Sequence, residues 1–149
     1  MIPITTTIRF DRRTVSGESL ADVLAQIRAH LASHGLSGFT LEVSEDRVAT
    51  YTGQHATPPR WLPGWRCDPD AALLRAARVA VDDSGREPVV GSWAFCTNGS
   101  ESAGRRGIPT IGLGPGNEED AHTIDESIAL DQLEGARDIY RNLVRVMCA

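Results

Sequence analysis

Ile108-Pro109-Thr110-Ile111-Gly112-Leu113-Gly114-Pro115-Gly116-Asn117-Glu118-Glu119-Asp120-Ala121-His122-Thr123-Ile124-Asp125-Glu126 joins an apolar segment, a glycine-rich turn and an acidic run around one imidazole. Ile108–Leu113 reads as a buried strand. Gly112–Gly116 has the pattern Gly-x-Gly-Pro-Gly. It is like a dinucleotide fingerprint only superficially, because the spacing differs and no helix opens directly after it. Two roles stay open for it: a tight turn with positive φ at one or more glycines, or backbone N–H groups that approach a substrate closely. His122 lies among Glu118, Glu119, Asp120, Asp125 and Glu126. A lone loop histidine is more often a hydrogen-bonding residue than a ligand, and acidic neighbours often form a solvated face. A loop at a strand end of an α/β sheet is nevertheless where ligands and metals gather. His122 is therefore a candidate metal ligand that needs partners, since a catalytic zinc takes about three protein ligands.

Outward from this stretch, strand and helix patterns alternate. Residues 4–11 are β-branched and alternating, as in a strand. Ser16-Gly17 marks a turn. Ser19 can cap a helix, with Asp22 three residues on. Leu20, Leu24, Ile27 and Leu31 then share one helical face as far as His34, and Gly35 and Gly38 end the helix. Phe39–Val43 and Arg47–Tyr51 read as strands, and residues 52–66 as a Pro-, Gly- and Trp-rich loop. Asp68-Pro69 suits a helix start on a face of Leu73, Leu74, Ala77 and Val81. Val89–Phe95 reads as a further buried strand. The last helix spans Leu130 to Val146, with Leu133, Ala136, Tyr140, Leu143 and Met147 on its buried face. The expected class is α/β, with a boundary between residues 1–55 and 56–149.

The 149 residues suffice for one ordinary domain or two small ones. A net charge of −5 argues against nucleic acid or an anionic membrane as the main partner. All 15 basic residues are arginine, which reads as coding bias. No apolar run reaches the roughly 20 residues of a membrane span. The N-terminal residues lack a leader pattern, and a cytoplasmic location is expected. Cys67, Cys96 and Cys148 lack CxxC spacing and read as free thiols in a reducing compartment.

Other chemistry-bearing residues are fainter. His30 and His34 have zinc-compatible i, i+4 spacing, but no HExxH glutamate accompanies them and both read as solvent-facing. His55 carries no signal. Thr97-Asn98-Gly99 follows a predicted strand; it reads first as a turn, and second as a polar contribution to the cleft that His122 faces. Nothing marks Cys96 as activated, and no nucleophile set is legible.

Three segments together resemble the M20 metallopeptidases. Ile8-Arg9-Phe10-Asp11-Arg12-Arg13-Thr14-Val15-Ser16-Gly17-Glu18 is similar to the D-x-R…GE stretch of that family's lid, or dimerisation, domain. Trp93-Ala94-Phe95-Cys96-Thr97-Asn98-Gly99 looks like the return into its catalytic domain, and Gly107–Glu126 like its C-terminal metal-ligand motif. The nearest subgroup is the hydrolases linked to selenium metabolism, with related deacetylase and succinyl-diaminopimelate desuccinylase-like enzymes. The implied architecture is the second half of a ferredoxin-like lid (1–55) and then the C-terminal portion of a zinc-peptidase-like α/β catalytic domain (56–149).

The resemblance implies a site with two zinc ions, sometimes cobalt or manganese, in which metal-bound water attacks an amide carbonyl with a glutamate as base. His122 matches one metal ligand. Gly114, Gly116 and Asn98 match the substrate cleft. The family's HxD motif, bridging aspartate, Glu-Glu pair and further acidic ligand have no counterpart here, so activity from these residues alone is not expected. Three accounts follow: one chain of a split enzyme completed by a separate N-terminal half, a truncated product, or a non-catalytic dimerisation or binding module. A partial sheet would expose edges that invite a partner, whether that N-terminal half or a second copy added through a lid strand.

Overall fold

The computed structural model describes residues 4–148; the first three residues of the stretch read for a leader lie outside them. The chain divides into two compact units, Met1–Gly64 and Trp65–Ala149. Its regular elements are helices and one small antiparallel sheet.

In the first unit, helix α1 spans Leu20–Ser33. The Ser19 hydroxyl accepts from the Asp22 N–H at 3.2 Å and donates to the Asp22 carboxylate at 2.6 Å, satisfying one of the unpaired donors of the first turn. At the other end the Gly35 N–H donates to Ala32 O at 2.9 Å and the Leu36 N–H to Leu31 O at 3.1 Å. This is a Schellman closure, and it works because Gly35 takes φ +73°. Val23 is buried, and Leu20, Leu24, Ile27 and Leu31 are half-buried along the same face. Before the helix, Gly17 (φ +95°) turns the chain. That turn is closed by Arg12 on Glu18 (2.6 and 2.9 Å) and by the Val15 N–H on the same carboxylate at 3.0 Å.

Strands β1 (Val48–Ala49) and β2 (His55–Ala56) pair antiparallel. The turn between them is closed by Thr50 N–H to Gln54 O and Gly53 N–H to Thr50 O. This corrects the sequence reading: residues 55–60 are the return arm of a hairpin within the stretch expected to be a loop. Pairing continues to a bridge between Glu45 and Pro59, with Pro58 O accepting the Asp46 N–H. Pro58 and Pro59 can serve there because the arm pairs through the Pro58 carbonyl and the Arg60 N–H, which donates to Ser44 O at 2.7 Å, and no proline nitrogen is needed as a donor. The residues expected as strands at 4–11 and 39–43 form no ladder among the described residues.

In the second unit, α2 (Ala72–Asp82) packs on α3 (Leu130–Cys148). Ala76, Ala77, Ala80, Ala136 and Ile139 are its buried apolar side chains, and Ala80 is fully enclosed. Small residues let the two helices approach closely. The Asn142 amide donates across to Ala80 O at 3.4 Å. The seam therefore runs through Ala136 and Ile139. Leu133, Tyr140 and Met147, expected on the buried face, are exposed. The start of α2 also differs. Asp68 accepts the Asp70 N–H at 2.8 Å through its carboxylate and the Ala71 N–H at 3.0 Å through its carbonyl. It thus builds a turn before the helix, and α2 opens at Ala72.

Val89–Phe95 and Ile108–Leu113 are likewise unladdered among the described residues. Their apolar content agrees with strand propensity, but a strand exists only where a neighbour pairs its N–H and C=O groups. Val89 and Ile108 instead face solvent. Between them, the expected turn at Thr97-Asn98-Gly99 is formed, with the Ser100 N–H donating to Thr97 O at 3.1 Å, and it leads into a π-helix at Ser100–Arg105. Gly99 lies in the right-handed helical region (φ −57°) and is pressed on the Trp65 indole, where a Cβ would come within 2.3 Å.

Candidate functional site

The segment from Gly112 to Glu126 is held against α3 at two points. Upstream, the Tyr140 hydroxyl donates to Leu113 O at 2.8 Å. Downstream, the Gly116 N–H donates to Gln132 Oε1 at 2.8 Å. Both anchoring side chains stand on one rigid element, so the Gly114-Pro115 turn is suspended between them. Gly116 has φ +99°, a conformation open to glycine at little steric cost. The positive φ expected somewhere in the Gly-x-Gly-Pro-Gly run thus falls at Gly116. Gly112 is small for a different reason: a Cβ there would lie 1.9 Å from the Trp93 ring, which stacks on Phe95.

Past the turn, Glu118–Asp120 is a single 3-10 turn. The Asn117 amide donates to the Asp120 carboxylate at 3.1 Å. Thr123 Oγ1 donates to Asp120 O at 2.8 Å. Glu118 Oε1 accepts the Ala94 N–H at 2.9 Å, which ties this loop to the Trp93–Phe95 segment. His122 follows, solvent-exposed, with φ +63°; Asp125 has φ +65°. Left-handed backbone at a residue with a side chain costs roughly 1–2 kcal/mol and persists only when neighbouring bonds enforce it. Here the His122 N–H donates to Glu126 Oε2 at 3.1 Å.

A cavity of about 190 Å³ lies beneath the turn, lined by Arg86, Leu113, Gly114, Gly116, Gln132 and Tyr140 among others. Arg86 donates to Asp131 O at 3.0 Å and lies across Gly135, where a Cβ would come within 2.5 Å of its guanidinium.

The other sequence candidates are placed as follows. Gly114 and Gly116 flank Pro115 on the suspended turn. Asn98 is exposed, and its carbonyl accepts the Ser102 N–H at the start of the π-helix. No hydrogen bond joins Asn98 to Gly114, Gly116 or His122 among the described residues. His30 and His34 are exposed, with ring centroids 4.5 Å apart. The sequence names Glu118 only as an acidic neighbour of His122 and Tyr140 only as core, and no pattern marks Gln132, a glutamine that accepts from a glycine N–H sixteen residues earlier.

Among the described residues no three His, Cys, Asp or Glu side chains come together as a metal site. His122 offers one imidazole, so the residues present do not by themselves fit a resident metal. No helix among them is long and apolar enough to cross a membrane.

Comparison with known proteins places these features in a family. Residues 20–146 match the model of peptidase family M20/M25/M40. The uncharacterized protein YgeY of Escherichia coli K12 is 35% identical over 120 residues, covering 80% of this chain and 30% of that protein. The same holds for YgeY of Escherichia coli O157:H7. The chain thus spans about 30% of the length of these relatives. No solved structure matches it significantly.

Proposed function

The chain belongs to peptidase family M20/M25/M40, and on that premise we propose that it forms part of a metal-dependent hydrolase that cleaves peptide or N-acyl amide bonds. The observation that carries this reading is His122. It is an exposed imidazole on left-handed backbone, in a loop tied to α3 on one side and to Glu126 on the other. Strained backbone at a chemistry-bearing residue is characteristic of functional loops. In this reading His122 is one metal ligand. The backbone of Gly114 and Gly116 lines the substrate cleft, and Asn98 contributes a polar contact.

Residues 1–55 correspond to the second half of the lid and 56–149 to the C-terminal part of the catalytic domain. The remaining ligands and the general base come from polypeptide outside residues 1–149, either a separate N-terminal half or the rest of a longer chain. A second reading is a non-catalytic dimerisation or binding module that associates through a lid strand.

Zinc titration into residues 1–149 separates these from a self-sufficient enzyme. The expected result is weak zinc uptake and no hydrolysis of N-acyl amino acids. Tight, stoichiometric zinc together with turnover by these residues alone would overturn the proposal. Self-association without any zinc response at His122 would favour the second reading.

A further inference from the structure

We propose that Gln132 is a positioning residue for the Gly114–His122 segment, and that α3 sets the geometry of the candidate site through its side-chain amide. The Gln132 amide uses both of its ends: Oε1 accepts the Gly116 N–H at 2.8 Å, and Nε2 reaches Asn117 Oδ1 at 3.5 Å. Asn117 passes the constraint to Asp120 through its own amide at 3.1 Å. Asp120 O then receives the Thr123 hydroxyl at 2.8 Å, one residue past His122. A continuous run of polar contacts therefore leads from a helix to both flanks of the imidazole. The Tyr140 hydroxyl on Leu113 O holds the upstream side of the same turn.

The arrangement suits positioning better than simple stabilisation. Gly116 at φ +99° has no steric preference that would hold it there, so the turn needs an external partner, and the strong 2.8 Å bond from Gln132 is that partner. Residues that orient a reactive group from a rigid element are how a loop-borne site reaches reproducible geometry. This inference rests on reading Gly114–His122 as the functional loop, but its test does not require that loop to bind anything.

The experiment is NMR on residues 1–149, comparing wild type with Gln132→Leu and Gln132→Glu. Leucine removes the acceptor; glutamate keeps an oxygen for the Gly116 N–H and loses only the donor to Asn117. In Gln132→Leu the Gly116 amide should exchange about three- to tenfold faster, as for the loss of one hydrogen bond, and the His122 ring resonances should move. In Gln132→Glu the Gly116 protection should be restored. Unchanged Gly116 exchange and an unmoved His122 ring in Gln132→Leu would overturn the proposal. Should the leucine variant fail to fold, loss of Gly116 protection in a folded Gln132→Glu would overturn it equally. Zinc added to wild type reads the functional assignment separately: a His122 ring that ignores zinc removes the ligand reading and leaves the Gly116 result standing.

Discussion

Replacing Ile139 by alanine should destabilise the second unit by roughly 2.5–3 kcal/mol. The substitution deletes three carbons, each worth about 0.8 kcal/mol on burial. Ile139 is only 8% exposed, so nearly all of that transfer energy is lost. The added cavity term should be small. Ile139 and Ala136 already border the cavity of about 190 Å³ beneath the Gly114-Pro115 turn, and water can enter the enlarged space rather than leave a void. The expected cost therefore sits near the lower end of the roughly 2–5 kcal/mol seen for buried aliphatic-to-alanine changes. Leu133→Ala is the matched control. At 51% exposure it should cost about 1 kcal/mol. Urea unfolding followed by far-UV circular dichroism gives both values from the shift in midpoint at constant slope. Equal costs, or a larger cost at Leu133, would show that α3 buries its Leu133 and Tyr140 side rather than Ile139.

The Glu18 carboxylate is held down at about 2 from its ordinary 4.5, first by the hydrogen bond from Arg12 and then by the Val15 N–H. Its folded value is depressed, so its contribution to the Arg12–Glu18 turn is present above about pH 4.5 and is lost as pH falls towards 2. An NMR titration of the Glu18 side chain should show that low midpoint, with Arg12→Ala moving it upward; an unmoved midpoint would refute the pairing. Gly35→Ala meets no atom within 4 Å but must adopt φ +73°, so it should cost about 1 kcal/mol, read from the thermal melt of α1; a neutral substitution would contradict the Schellman closure. His122→Ala should leave unfolding unchanged to within about 0.5 kcal/mol, as for other exposed positions, while abolishing the zinc response measured by calorimetry. Full retention of that response would strike His122 from the ligand set.

The three long helices were legible in the sequence because their signals are local. Ser19 with Asp22 starts α1 and Gly35 ends it, as their hydrogen bonds confirm. The predicted last helix, Leu130 to Val146, corresponds to α3 at Leu130–Cys148. Capping and i, i+4 contacts act within a turn or two, so composition at fixed spacing suffices to place such elements. Asp68-Pro69 was read three residues early, because an aspartate side chain closes a turn as readily as it caps a helix.

Strand pairing and the site are matters of tertiary structure. Residues 4–11, 39–43, 89–95 and 108–113 carry β-type composition, yet of the expected strands only Arg47–Tyr51 contains a described ladder arm, Val48–Ala49, and its partner His55–Ala56 lies in the stretch expected to be a loop. Alternation cannot specify which distant edge supplies the pairing groups. The seam of α3 likewise depended on which side meets the alanines of α2, a choice that kept Ala136 buried but moved burial from Leu133 and Tyr140 to Ile139. By itself the sequence determined the helices, the ends of α1, the start of α3, and the Gly112–Glu126 stretch as the place to look for chemistry. The tertiary structure decided how that stretch is held. Gln132 and Tyr140 reach it across 16 and 27 residues of chain, and contacts at that separation arise only when the folded backbone brings a helix beneath a loop.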